Sequence, residues 1–534
     1  MTQHEGVTDP DTAPAAPSRH WVAGAFLGLL SGAVALGAAQ LVAGLIGGAS
    51  SPMIAVGNAA IDAAPAGVKE FAIRTFGTHD KRALLIGIGV ILAIVAVVLG
   101  ILSIRRPRVG IIGLAVFGAI GIVAALTRPT SRPVDAIPSI VGTAVGIWAF
   151  RWLRRATGLP DPEAAPPKGA KRTAVEEPAS LDRRRFLVSG MYAAILAGVT
   201  GVAGQYFVRR SAASASRSAV RIPTPSSTAA PLPAGADVGV PGASSFFTPN
   251  GSFYKVDTAL LTPAVSTDGW QLRIHGMVDK EVTLNYAQLV ARPLIERDIT
   301  LTCVSNEIGG SLVGNARWIG APLKAILEEA GIDPAADQIV SRSVDGFTAG
   351  SPTATVMDGR DSMLAIAMNG EPLPLAHGFP VRMIVPGLYG YVSATKWLVD
   401  LELTTFDAYD AYWIQRGWSQ QAPIKTESRI DTPRSGGSVT AGQVAVAGVA
   451  WAQHRGISAV EVRVDQQPWQ PAELGTQDTV DTWRLWVYRW NATSGRHTLQ
   501  VRATDGTGQT QTADLAPPPP NGATGYHTID VNVG

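Results

Sequence analysis

Cys303 is the only cysteine among 534 residues, and it stands in the run Thr302-Cys303-Val304-Ser305-Asn306. Residues 298–303 read as a strand, so the thiol emerges where a strand gives way to a loop. A thiolate placed there can act as a nucleophile or as a soft metal ligand. Nucleophilic catalysis would want an imidazole base, for which His275 and His377 stand as candidates. A metal that draws most of its ligands from an organic cofactor needs only one protein sulfur. A plainer reading also stands, since free cysteine is among the most buried residue types and is then inert. One cysteine excludes an internal disulfide, a cysteine-ligated iron–sulfur cluster and a Cys-x-x-Cys-His haem attachment.

A second group of reactive side chains lies further along. Residues 374–387 carry His377 and Arg382, and residues 390–397 carry Ser393, Thr395 and Lys396. An imidazole, a guanidinium, two hydroxyls and an ammonium on loops between strands can clamp a phosphate-bearing ligand, arginine bidentately and lysine as a point charge. Taken singly, Arg382 and Lys396 also read as surface charges. The joint pattern carries the phosphate reading.

These residues need a scaffold. Residues 270–276 alternate like a half-buried strand and end on glycine, 381–385 form a short buried-type strand, and 396–404 alternate again. Residues 322–330 predict a helix, with proline in the first turn, Leu323, Ile326 and Leu327 on one face, and Gly331 as the stop. Strands and helices mix without regular alternation, which makes 246–410 an α+β domain. From about 425 the signal turns purely β, within a domain that spans 411–534. Val460, Val462 and Val464 alternate, 483–490 is a long aromatic run, and Leu499, Val501 and Ala503 lead to the turn Asp505-Gly-Thr-Gly. That spacing predicts an immunoglobulin-like sandwich whose tryptophans fill its core or an interface.

The first part of the chain is of another kind. Hydrophobic residues make up 46% of the whole and charged residues only 16%, because long uncharged stretches crowd in before residue 210. Residues 21–46, 83–104, 109–127, 136–150 and 186–208 predict five membrane spans, forming a membrane domain over 21–208 behind a cytoplasmic tail of 1–20. The fourth is short, and it is extended by Trp152 and Leu153 while Arg151 snorkels; an interfacial helix is the other reading. Basic residues concentrate after the second span (Arg105, Arg106, Arg108) and after the fourth (Arg154, Arg155, Lys168, Lys171, Arg172 and Arg183 to Arg185). The positive-inside rule puts both connections in the cytoplasm and everything after Val208 outside. Histidine is missing from the spans, which argues against a haem held between them. Asp182-Arg183-Arg184-Arg185-Phe186-Leu187 resembles a twin-arginine export signal, and it also reads as an ordinary positive-inside anchor. Residues 209–245, rich in Ser, Ala and Pro, predict a disordered linker of about 30 Å mean span. A net charge of +2 with no basic, aromatic-studded stripe predicts no nucleic-acid partner.

Several dispersed stretches, in order, resemble the sulfite oxidase family of molybdopterin enzymes. They are Phe247-Thr-Pro-Asn250 through Phe253-Tyr254, Leu301-Thr-Cys303, Arg317-Trp-Ile-Gly-Ala-Pro-Leu323, Met368-Asn-Gly370 with the His377 to Arg382 run, and Ser393 through Trp397. The segment from Ala450-Trp-Ala to Asp505-Gly506 resembles that family's dimerisation domain. The likeness spans a little over half the chain and leaves the apolar segments aside. Taken with the spans read from hydropathy, the expected architecture is five N-terminal transmembrane helices, then an α+β sulfite-oxidase-like molybdopterin domain and a C-terminal immunoglobulin-like β-sandwich, the last two as the resemblance implies. The resemblance further implies molybdenum ligated by Cys303 and by the dithiolene of molybdopterin, whose pterin and phosphate are held by Asn250, Tyr254, His377, Arg382, Ser393 and Lys396, with Asp345 and Thr395 as lesser candidates. The chemistry would be two-electron oxygen-atom transfer. The pattern departs at Pro249, at Ile366, and at Glu307 and Ile308, where sulfite oxidases carry arginine, tyrosine and basic residues. Sulfite needs convergent positive charge, so the departures favour a sulfoxide or another small non-sulfite substrate. Electrons would pass to or from a cytochrome or the membrane quinone pool, and a homodimer is the expected assembly. The competing readings are a cofactor-free extracytoplasmic binding or adhesion module and a cysteine hydrolase using Cys303 and His377.

Overall fold

The structure is a computed structural model that describes residues 20–65, 67–68, 71, 75, 80–128, 131–158, 182–209 and 212–534. The expected cytoplasmic tail, apart from His20, and the basic residues Lys168, Lys171 and Arg172 lie outside the described residues. The chain divides into two compact units, Met1–Arg209 and Arg210–Gly534.

The first unit is helical: α1 (His20–Ile46), α2 (Pro52–Ala63), α3 (Asp80–Arg105), α4 (Pro107–Leu126), α5 (Ile137–Ala156) and α6 (Arg183–Arg209). Among the described residues, five helices are long and apolar enough to cross a membrane. Helix α2 has no counterpart in the sequence reading; its 12 residues extend about 18 Å, short of a bilayer's hydrocarbon core. The fourth expected span is lengthened to 20 residues. Its Arg154 is buried and donates to Ser103 O at 2.8 Å, satisfying a carbonyl that the last turn of α3 leaves open. Backbones meet where glycines allow it. A Cβ on Gly28 of α1 would stand 1.9 Å from Ala96 O on α3, and one on Gly44 would stand 2.6 Å from Gly204 O on α6. Away from these contacts, Ile86, Ile91 and Ile94 on α3 and Val199 and Val202 on α6 are exposed.

The second unit does not begin with a disordered linker: residues 212–245 are ordered. The helix Ala212–Ala219 and the chain after it lie along the unit's surface. Arg217 donates to Pro372 O at 2.8 Å and Leu373 O at 2.9 Å, Ser226 N reaches Leu294 O at 2.8 Å, and Ala236 is fully enclosed in the core. The ordering comes from hydrogen bonds to distant backbone and not from a local apolar period, so composition alone read it as coil.

Ten strands build the α+β part: β1 (Gln271–Gly276), β2 (Val282–Asn285), β3 (Ile295–Thr302), β4 (Val313–Pro322), β5 (Gln338–Ser343), β6 (Thr348–Pro352), β7 (Met363–Met368), β8 (Glu371–Pro372), β9 (Arg382–Ile384) and β10 (Leu398–Thr404). One sheet runs β2-β1-β10-β5-β6; the other runs β3-β4-β7-β8, with β9 also on β7. The expected helix appears as Leu323–Ala330, its apolar face buried and its end marked by Gly331 at φ 70°. Edge strand β3 ends at Thr302, which delivers Cys303 into the loop before β4. That loop is cross-tied, with Cys303 N donating to Leu312 O (2.9 Å), Asn306 N to Cys303 O (3.0 Å) and Leu312 N to Asn306 Oδ1 (2.8 Å).

Nine strands follow: β11 (Glu427–Thr432), β12 (Ser438–Val439), β13 (Gly442–Trp451), β14 (Ile457–Val464), β15 (Gln470–Pro471), β16 (Glu473–Leu474), β17 (Arg484–Ala492), β18 (Gly495–Asp505) and β19 (His527–Val533). They form two sheets, β11-β13-β17-β16 and β12-β19-β18-β14-β15, closed over one core that includes Val446, Trp486, Trp490, Val462 and Val501. Residues 411–426 precede this sandwich, and Ala422 and Ile424 pack into the α+β core. The outer edge of β3 is covered from both flanks. Ser227 bridges to Ile295, Thr300 N donates to Asp481 O at 2.9 Å, and Trp483 N donates to Thr300 Oγ1 at 2.7 Å. Gln453 adds bonds to Thr300 O and Thr302 Oγ1.

Candidate active site

Cys303 opens onto a cavity of about 850 Å³, open solvent included. Six of the nine residues singled out from sequence wall it: Tyr254, Cys303, Asp345, His377, Arg382 and Lys396. The thiol is buried, which pushes its pKa up, while the Ser305 N–H and hydroxyl and the charge of Lys396 oppose that rise by favouring the thiolate.

The cations are held differently. Lys396 pairs with Asp257 at 2.9 Å and lies 4.7 Å from the centre of the Trp397 ring. Burial pulls its pKa down to about 8 against the opposing charge of Asp257. Arg382 is buried and lies over Trp318 at 5.1 Å. Its bonds go to two carbonyls, His377 O and Ala394 O, both at 3.3 Å, and its Nε has no partner. Among the described residues no carboxylate pairs with it. Burial lowers its pKa to about 10. His377 is brought down to about 4, by burial first and then by the charge of Arg382, and is neutral at ordinary pH. Its Nε2 meets Asn250 O at 3.1 Å, so the proton sits on Nε2. Asp345 accepts from Phe347 N at 3.3 Å, and burial raises its pKa.

Three expected residues stand behind the wall. Asn250 accepts from Asn369 Nδ2 at 2.9 Å and, through its carbonyl, holds His377. Ser393 is fully buried and donates to Leu388 O and Tyr389 O, and Thr395, also fully buried, shares a hydrogen bond with Ser341 at 2.7 Å. Both hydroxyls are turned into the protein and do not reach the cavity. His275 pairs with Asp400 at 2.9 Å and is not part of the wall, so it offers Cys303 no base. Of the departing positions, Pro249 and Glu307 are exposed, Ile308 is half-buried, and Ile366 sits in the apolar core; none lines the cavity.

Sequence reasoning missed Asp257 and the rim. Phe347, Tyr391, Trp413 and Trp418 line the cavity, with Tyr391 and Trp418 rings 5.8 Å apart and Trp413 and Trp418 6.1 Å apart. The aromatic density of residues 409–418 was the available signal. Asp257 had none beyond its place three residues after Tyr254.

Residues 259–413 match the oxidoreductase molybdopterin binding domain. The chain is 28% identical over 304 residues to the mitochondrial sulfite oxidase of Homo sapiens, covering 48% of this chain and 55% of that protein. It is 33% identical over 149 residues to YuiH, an uncharacterised oxidoreductase of Bacillus subtilis, covering 28% of this chain and 72% of that one. The sulfane dehydrogenase SoxCD of Paracoccus pantotrophus is a structural neighbour at 23% identity and a TM-score of 0.48, covering 55% of this chain and 84% of its own. This chain belongs to the sulfite oxidase family of molybdopterin-dependent oxidoreductases. It spans about half the length of the sulfite oxidases it matches. Its family cofactor is molybdenum–molybdopterin, and the cavity fits that group: a soft sulfur on one wall, and on another a buried guanidinium that lacks an anion.

Proposed function

We propose that the second unit is a molybdopterin oxidoreductase performing two-electron oxygen-atom transfer, with Cys303 as the protein's thiolate ligand to molybdenum. The observation that carries this reading is that Cys303 and the unpaired Arg382 wall the same cavity. A buried cation without a counter-charge is costly, and an incoming phosphate removes that cost. Arg382 and Lys396 would hold the phosphate, Lys396 oriented by Asp257. Neutral His377 would keep its Nε2 proton on the Asn250 carbonyl and offer Nδ1 as an acceptor. Tyr254 and Asp345 would complete the pterin's surroundings, with Asn250, Ser393 and Thr395 supporting them from behind. When bound, the cofactor supplies a centre that exchanges an oxygen atom and an electron pair with substrate. The residues lining the mouth keep water away from that exchange and select what enters.

The substrate we favour is a sulfoxide or another small neutral organic molecule. Phe347, Tyr391, Trp413 and Trp418 offer apolar faces, and Asp257 already answers Lys396. We further propose that the first unit anchors the enzyme in a membrane with the second unit outside the cytoplasm, and that a cytochrome or the quinone pool exchanges electrons with it. The immunoglobulin-like sandwich is proposed to support a homodimer. A cofactor-free binding module is the weaker alternative, because it leaves Arg382 without an anion.

Metal and pterin analysis of protein from a cofactor-competent host tests the assignment. Near-stoichiometric molybdenum, lost in Cys303→Ser, is expected; unchanged molybdenum in that variant would remove Cys303 as the ligand. A reduced-dye assay comparing methyl sulfoxides with sulfite then tests the substrate class.

A further inference from the structure

Strand β11 opens with Glu427, which is 3% exposed. Its carboxylate oxygen Oε2 accepts from Asn306 Nδ2 at 3.4 Å, and its Oε1 has no partner. Asn306 is itself buried and ties the Cys303 loop internally, its N–H on Cys303 O and its Oδ1 under Leu312 N. Two residues along the same strand, Arg429 donates to Gly310 O at 2.8 Å. The first strand of the sandwich therefore grips both limbs of the loop that carries the thiol. Lys425, two residues before Glu427 and ahead of the strand, is turned to Asn521 Oδ1 (2.9 Å) and Gly522 O (2.6 Å).

We propose that Glu427 is a positioning residue for Cys303, acting through Asn306 to hold the loop that presents the sulfur to the cavity. The placement of the sulfur is independent of what the sulfur binds; only the consequence for molybdenum rests on the reading given above. The carboxyl suits this task in its neutral form. Burial raises its pKa to about 8, against the Asn306 hydrogen bond and the Lys425 charge, and Tyr389 adds no positive charge beside it. A neutral acceptor holds an amide N–H without placing a second negative charge behind a thiolate.

The test is the rate at which iodoacetamide modifies Cys303 in the full chain prepared without cofactor, where the cavity admits the reagent and the loop sets how far the buried sulfur is presented to it. Glu427→Ala strands the Asn306 amide, and the rate should rise about tenfold, as expected for loss of one buried hydrogen bond. Glu427→Asp, one methylene too short to reach, should move it in the same direction and serves if the alanine variant does not fold. Glu427→Gln keeps shape and neutrality and should stay within about twofold of the parent, by the same reasoning. Parent-like rates in the alanine and aspartate variants would overturn the proposal, as would a glutamine variant as fast as aspartate. Molybdenum retained in Cys303→Ser would remove the metal assignment and leave the alkylation series intact, so the two failures are distinguishable.

Discussion

Arg382 is the residue whose surroundings make least sense without a ligand. It is 5% exposed, bonded to two carbonyls and a ring face, and has a free Nε. Removing a buried charge that has no counter-ion need not weaken a fold. Arg382→Met should therefore keep or raise the melting temperature of cofactor-free protein while lowering pterin content at least about tenfold, the loss of a charge-assisted hydrogen bond. A lower melting temperature with full pterin content would reverse both halves of that expectation. His377 makes a prediction about acid. The unfolded chain takes up this proton near pH 6.5, whereas the folded one resists until about 4. The unfolded state thus binds more protons in that window, and stability falls as pH drops from about 6.5 to 4. In His377→Gln the melting temperature should decline less steeply across the same interval; an identical slope would show that His377 carries none of it.

Elements with their own periodicity were legible. The strand feeding Cys303, the helix Leu323–Ala330 and the alternation of β14 and β18 all lie where apolar spacing and turn residues put them. Segments that borrow their order from elsewhere were not. Residues 212–245 and 411–426 have no repeating pattern, yet Arg217, Ala236 and Ile424 are fixed by groups far away in sequence. Hydrogen exchange on the full chain separates the two descriptions of the first segment. The amides of Ser226 and Thr476, bonded to Leu294 O and Gly235 O, should exchange at least about a hundredfold more slowly than free coil. Exchange at the coil rate would restore the tether.

For the whole molecule, hydropathy alone located the five helices that are long and apolar enough to cross a membrane. Among the described residues five long apolar helices precede a unit with an α+β part and a β-sandwich, and we propose from the arginines at Arg105, Arg106 and Arg108 and at Arg154 and Arg155 that the second unit lies outside the cytoplasm. A reporter enzyme fused after Val208 should act outside the cytoplasm, and a cytoplasmic signal would reverse that orientation. Much of the site was legible too, because Cys303, His377, Arg382 and Lys396 combine unusual chemistry with close spacing. Ser393 and Thr395 looked equivalent to them in sequence, but Ser393 closes a short helical turn and bonds back to Leu388 O and Tyr389 O while Thr395 bonds Ser341, so both hydroxyls are spent inside the fold. Asp257 and the meeting of Phe347 and Tyr391 with the aromatic stretch of Trp413 and Trp418 depend on distant chain segments, which local spacing does not announce.

The covering of β3 bears on how such a protein can change over generations. Because Gln453, Asp481 and Trp483 bond into the strand that ends beside Cys303, the β-rich half is not a detachable accessory. A chimera given another protein's sandwich would inherit a misfitted hinge point next to its reactive sulfur unless those loop tips were grafted as well. Recombination between relatives should accordingly respect this seam, with crossovers tolerated ahead of Ala212 and selected against between Cys303 and Trp483.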